Sequence, residues 1–203
     1  MDFNYSMTAQ ERMLKWYQDS LKEFGPGDFR SLTWGNEHGT SAKARYSQMN
    51  SLVTFSGKSV IEFGCGWGSF FDFGFDCKSY TGIDISKEFV ELAENKYPQH
   101  TFLPADILGE YSYGHFDIAI SSGVAGNQGG PADHPTKLYQ YLYRMLEHAD
   151  TVLVNFPSTW ATIRTPNIEY FSPSSTLEIA LSITPNVQLY HKERADFLLV
   201  LTK

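Results

Sequence analysis

The segment Ser59–Phe70, SVIEFGCGWGSF, constrains the fold of this chain more than any other. A short, largely apolar strand pattern runs straight into Gly64, Gly66 and Gly68. A strand that breaks through glycines into a helix presents backbone N–H groups at the carboxyl edge of a sheet. Glycines also let a ligand approach the backbone closely. Taken alone, the motif equally describes a tight strand–helix turn that holds nothing. The residues that follow restrict the fold further. SYTGIDI, HTFLPA, FDIAIS and TVLVNF read as strands, and SKEFVELAENKY and PTKLYQYLYRMLEHA as helices between them. In the second helix, Leu138, Leu142 and Met145 form an apolar stripe. This alternation specifies an α/β, doubly wound and mostly parallel sheet with helices on both faces.

The two ends read differently. TAQERMLKWYQDSLKEFG is a helix, with Thr8 and Glu11 at capping-box spacing, Gly25 as its stop, and Leu14, Tyr17, Leu21 and Phe24 on one face. A long polar, glycine-rich loop, GPGDFRSLTWGNEHGT, leads to a second helix, SAKARYSQMNSLV, with Tyr46, Met49 and Val53 on one face. At the other end, SPSSTLEIALSIT reads as a helix capped by Ser172 with Pro173 in its first turn. NVQLYH and DFLLVLTK follow, separated only by KERA. So short a link holds no crossover helix, so these strands form an antiparallel C-terminal hairpin. The expectation is seven strands in a single domain over residues 1–203, with a core from residue 56 onward.

Net charge is −7 at pH 7, and no run of Lys and Arg appears. Both argue against a nucleic-acid partner, which needs clustered positive charge. No apolar run approaches the ~20 residues that span a bilayer. The start, MDFNYSMTAQERM, lacks a basic segment followed by an apolar one. Cys65 and Cys77 make no disulfide framework, and a reducing cytoplasm is the expected location.

Two acids add meaning to the glycines. Asp84 ends the second strand, twenty residues past Gly64, where a carboxylate accepts hydrogen bonds from both hydroxyls of a ribose. Asp106 follows the third strand, within reach of an adenine amino group. Glu62 lies among Val60, Ile61 and Phe63, so it needs a partner, either the amides of the turn or a cationic ligand.

VIEFGCGWG, GIDIS, ADI and FDIAISSG resemble the successive motifs of class I, Rossmann-like S-adenosyl-L-methionine-dependent methyltransferases, over Ser59 to about Asn155. TWGNEHGTSAKARYSQM and YFSPSSTLEIALSITP further resemble a poorly characterised subgroup of small stand-alone members. The resemblance implies that Gly64, Cys65, Gly66 and Gly68 pass beneath the methionine and ribose, and that Glu62 orients the turn and meets the amino group. It implies that Asp84 holds the ribose, with Ile85 against the adenine and Asp106 and Ile107 framing its edge. Ser121 and Ser122 then lie near the methionine and the substrate. Residues 1–55 become a helical lid in which Trp34 and Arg45 reach the cofactor. Arg45 pairs with the methionine carboxylate, or else lies on the helix surface.

The rival cofactor is a nicotinamide dinucleotide, whose fingerprint is G-x-G-x-x-G. Here the third glycine falls one place early, and Glu62 and Asp106 have no task in that scheme. A third reading is a non-catalytic protein that binds S-adenosylmethionine and acts as a regulator or partner. For catalysis, the loop after the fourth strand offers Asp133 and His134 as a base, against the plainer reading that Asp133 caps the next helix. Asn155 points to the substrate by position. No acid ends the fourth strand, and Asn155 to Pro157 end the fifth where a catechol-type metal site has an Asp-Asn pair, so no metal is expected. The acceptor is a small molecule or peptide methylated at oxygen or nitrogen, and the protein a monomer or homodimer.

Overall fold

The protein is described as a computed structural model covering residues 7–32, 38–127, 129–132, 134–166, 168–192 and 195–203. Seven strands form one sheet: β1 (Ser59–Phe63), β2 (Ser79–Asp84), β3 (Thr101–Pro104), β4 (Phe116–Ser121), β5 (Ala149–Pro157), β6 (Val187–Tyr190) and β7 (Asp196–Thr202). Their spatial order is β3-β2-β1-β4-β5-β7-β6. From β3 through β5 every pairing is parallel, and β7 runs antiparallel to both β5 and β6. The hairpin expected from the short KERA link is therefore present, with its second strand inserted against β5. The sequence order reverses between β1 and β4, and in open α/β sheets ligands bind at the carboxyl ends of the strands beside such a switch.

Helices α1 (Ala9–Phe24), α2 (Thr40–Leu52), α3 (Ser69–Asp72), α4 (Lys87–Lys96), α5 (Pro135–His148) and α6 (Pro173–Leu181) complete the described elements, with a 3-10 turn at Phe29–Leu32. Thr8 and Glu11 make the full capping box of α1, and the N–H of Gly25 donates to the Leu21 carbonyl at its end. Strand alternation separates two cores. Ile61 and Phe63 face the α5 side, where Leu138, Leu142 and Met145 are buried. Val60 faces Tyr46, Met49, Phe70 and Val90 on the other side. Fully burying each such side chain stabilises the fold by about 1.5–3 kcal/mol.

The segment before α2 departs from its reading as a polar loop. Phe29 and Leu32 are buried, and Phe29 stacks on Phe73 with ring centroids 5.1 Å apart. Phe29 and Leu32 seat this stretch against Trp67 and Phe89.

Candidate active site

A cavity of about 370 Å³ lies at the carboxyl ends of β1, β2 and β4, at the switch in strand order. Its floor is the glycine turn. Gly64 has φ +81°, and a Cβ there would lie 2.1 Å from Val124 Cγ2. Gly66 has φ +53°, and its Cβ would lie 2.8 Å from Leu32 Cδ2. Both positions need glycine for backbone conformation and for space. Four amides of this turn are already engaged within the protein. The N–H groups of Gly64 and Cys65 both donate to the Ile83 carbonyl, at 2.7 and 3.0 Å. The Gly68 amide donates to the Cys65 carbonyl, and the Gly66 amide to Asp84 Oδ2 at 2.8 Å. At Gly64 and Gly66 the turn thus offers a surface without side chains, with their own amides already engaged.

Asp84 lines the cavity at the end of β2. Its other oxygen, Oδ1, accepts from the Ser86 amide at 2.9 Å. One carboxylate therefore braces both the glycine turn and the start of α4, while each oxygen keeps further acceptor capacity. Burial raises its pKa, against the lowering effect of the backbone donors Ser86 and Gly66. Ile85, Phe89 and Ile107 supply apolar wall beside it. Asp106 also lines the cavity, its Oδ1 accepting from the Leu108 amide at 2.9 Å.

Glu62 lies elsewhere. It is fully buried beneath the turn, facing the α2 side of the sheet, and lies outside the cavity wall. Its partners are neither amides nor a ligand: the hydroxyl of Tyr46 on α2 donates to one carboxylate oxygen at 2.5 Å, and that of Tyr80 on β2 to the other. Burial pushes its pKa up to about 7; the tyrosine hydrogen bonds lower it and the nearby Asp84 charge raises it. Glu62 thereby ties α2, β1 and β2 together under the cavity floor.

Other candidates support the site from behind. Cys65 is buried against Gly82, where a Cβ would lie 2.7 Å from its sulfur. Gly68, at φ +78°, starts α3 and faces Tyr97 and Phe102. The Ser121 hydroxyl donates to the Phe63 carbonyl at 2.7 Å, pinning the end of β4 to that of β1. Asn155 Oδ1 accepts from the Gly123 amide at 2.7 Å and holds the loop after β4. Ser122 does line the cavity. Arg45, far from being a surface residue, is tucked behind it: its Nε donates to Ser122 Oγ at 3.2 Å, and a guanidinium nitrogen lies 3.6 Å from Asp196.

His134 is exposed and caps α5, with Nδ1 accepting from the Thr136 amide at 3.2 Å. The cap expected at Asp133 thus falls one residue later. Asp133 and Trp34 lie outside the described residues.

The reading of single motifs missed the opposite wall. Thr8, Gln10, Met13 and Tyr17 on and before α1 line the cavity, as does Lys137 in the first turn of α5. Gln10 Nε2 donates to Asp106 Oδ2 at 3.0 Å, and Asn127 Nδ2 donates to the Tyr17 hydroxyl at 2.8 Å. A Cβ on Gly129 would lie 2.6 Å from the Ala9 backbone, so the β4–α5 loop and the start of α1 meet over the cavity. The spacing of residues 10, 13 and 17 was the available signal, since one helix face carries all three. Among the described residues no group of three His, Cys, Asp or Glu side chains is arranged to hold a metal ion. Nor is any described helix long and apolar enough to cross a membrane.

Strand order, inserted β7 and the cavity at the glycine turn together define the fold of class I S-adenosylmethionine-dependent methyltransferases. Residues 61–154, from β1 into β5, match the family model described as a methyltransferase domain. That matched segment, taken with the fold, selects S-adenosylmethionine, the first of the two cofactor readings that the glycine turn left open. Among solved structures, it is similar to magnesium protoporphyrin IX methyltransferase from Synechocystis with bound S-adenosylhomocysteine. That match has a TM-score of 0.66 at 14% identity and covers 94% of this chain and 99% of that one. It is similar also to the N-methyltransferase NodS from Bradyrhizobium japonicum in complex with S-adenosylhomocysteine, with a TM-score of 0.67 at 13% identity, over 94% and 98% of the two chains. DesVI from Streptomyces venezuelae aligns with a TM-score of 0.64 at 16% identity, over 90% and 97%. No curated protein sequence matches this chain.

Proposed function

We propose that this protein transfers the methyl group of S-adenosylmethionine to the oxygen or nitrogen of a small molecule, with residues 1–55 acting as a lid on a single-domain core. The observation that carries this reading is the coincidence, around one cavity, of Gly64, Gly66, Asp84 and Asp106. The residues fit the cofactor. The glycine floor has no side chain to exclude it, the Asp84 carboxylate retains acceptor capacity for two ribose hydroxyls, and Ile85, Phe89 and Ile107 offer apolar contact to a flat base. When bound, the sulfonium supplies an electrophilic methyl group.

The chain's own residues then bind, orient and enclose. Positioning alone contributes much of the acceleration in a displacement between two bound partners. Ser122 receives the Arg45 Nε–H, so its own hydroxyl hydrogen is left to donate towards the cavity. Asn155 holds Gly123, and with it the loop on the acceptor side. A cavity of about 370 Å³ lies near the lower end of the usual ligand-pocket range of ~300–1,000 Å³. With Met13 and Tyr17 on one side and Val124 on the other, this supports a small acceptor in preference to a peptide. The test is calorimetric titration with S-adenosylhomocysteine and with NAD, followed by a screen of small amines, phenols and carboxylates with labelled cofactor. Binding of NAD and not of S-adenosylhomocysteine would overturn the reading.

A further inference from the structure

The Gln10–Asp106 contact has chemistry of its own. A carboxylate only accepts hydrogen bonds, so the nitrogen of the Gln10 carboxamide must face Asp106 Oδ2, as it does at 3.0 Å. The carboxamide orientation is thereby fixed, leaving the Gln10 carbonyl oxygen as a second acceptor beside the carboxylate. Among the described residues the Gln10 side chain makes no other hydrogen bond. Asp106 Oδ1 already takes the Leu108 amide, which fixes the carboxylate in turn. Both residues line the cavity next to the apolar wall of Ile107 and Leu108. The backbone that carries Gln10 is fixed as well, by the Thr8–Glu11 capping box and by the close approach of Gly129 to Ala9.

Two adjacent acceptors match a group that presents two N–H donors from one nitrogen. The 6-amino group of adenine is such a group, whereas a 6-oxopurine presents an acceptor at the same place. We infer that Gln10 joins Asp106, which the resemblance already places at the adenine edge, in reading the 6-amino group of the cofactor's purine, which makes Gln10, on the N-terminal helix, a specificity-determining residue of the binding site. This rests on the cofactor reading above.

The test is calorimetry with S-adenosylhomocysteine and S-inosylhomocysteine, which differ at purine position 6, on wild type, Gln10→Ala and Gln10→Met. Both substitutions suit a helix, and the second keeps the length of the side chain without its polar atoms. Wild type is expected to prefer the adenosyl ligand by at least about tenfold. Each variant should weaken adenosyl binding by about three- to tenfold and inosyl binding by less than about twofold, so the preference narrows. Equal losses for both ligands would mean that Gln10 only holds α1 in place, and unchanged affinities would remove it from the site. Either result overturns the inference and leaves the cofactor reading standing. Failure of folded wild type to bind S-adenosylhomocysteine overturns both.

Discussion

Replacing Glu62 by Gln tests the buried link beneath the glycine turn. The side chain keeps its shape. Its carbonyl still accepts from one tyrosine hydroxyl, and its amide donates to the oxygen of the other, so Tyr46 and Tyr80 both retain a partner. What disappears is the titration. In the folded protein the Glu62 pKa stands at about 7, from an ordinary value of 4.5, with burial as the first cause. A raised carboxyl pKa means that the folded state binds the proton more tightly than the unfolded one. The resulting stabilisation is complete below about pH 4.5 and is lost as pH rises through about 7. At 1.36 kcal/mol per pH unit, the full loss is about 3 kcal/mol. Urea unfolding at about pH 4.5 and about pH 8 reads this directly. Asp84, His100 and all other titrating groups are common to both proteins, so the difference between wild type and Glu62→Gln isolates one residue. With a urea m value of about 2 kcal/mol per molar, the gap between the two midpoints should change by about 1–2 M across that range, with wild type losing more. Parallel pH profiles would refute the assignment of Glu62 as a buried, proton-sensitive link.

Gly64→Ala should destabilise the protein by about 2–5 kcal/mol, combining a left-handed backbone with overpacking against Val124, and lower Tm by about 5–15 °C by calorimetry. Gly57→Ala, at φ +77° with open space around it, carries only the backbone part and is the control. Asp84→Asn should weaken S-adenosylhomocysteine by about tenfold or more, because a charged acceptor for the ribose becomes neutral; equal calorimetric affinities would refute the ribose assignment. His134→Ala should lower stability by about 0.5–1 kcal/mol through the lost cap of α5, with cofactor affinity unchanged. Its turnover should stay within about tenfold of wild type once an acceptor is found, and a drop of ~10²–10⁴ would instead make His134 the base.

The sheet was legible because its signals are local. Each strand is a short apolar run bounded by turn residues, and a four-residue link leaves the last two strands no choice but a hairpin. The glycine turn and Asp84 were legible because strict positional demands on the backbone leave a mark in residue type. The partner of Glu62 was not. Tyr46 reads as one more apolar position of a helix stripe and Tyr80 as one residue of a strand, and nothing in spacing shows that α2 lays its hydroxyl against β1. Burial of a carboxylate announces a need for donors, but the need can be met from any element that packs on that face. The cap of α5 failed for a smaller reason. Asp133 and His134 both precede Pro135, and a histidine ring nitrogen accepts an amide hydrogen as an aspartate does.

The N-terminal helix shows why a site wall hides among core residues. Gln10, Met13 and Tyr17 recur at helical spacing beside Leu21, while hydrophobic periodicity marks only the stripe of Leu14, Tyr17, Leu21 and Phe24 and cannot say what that face covers. Burial separates them. Tyr17 and Leu21 pack on Phe29, Leu32, Trp67 and Phe89, while only Ser20 of the whole helix is fully buried. A helix held by half-buried residues, with a carboxamide on the same face bound to a carboxylate across the cavity, is placed to follow what the cavity holds. The affinity of S-adenosylhomocysteine and the amide-exchange protection of α1 should therefore move together. Saturating ligand should slow exchange in α1, and Gln10→Ala should diminish that slowing even at saturation. Equal slowing in both proteins would mean that α1 is held by Tyr17 and Leu21 alone, with the polar contact to Asp106 contributing nothing to its coupling.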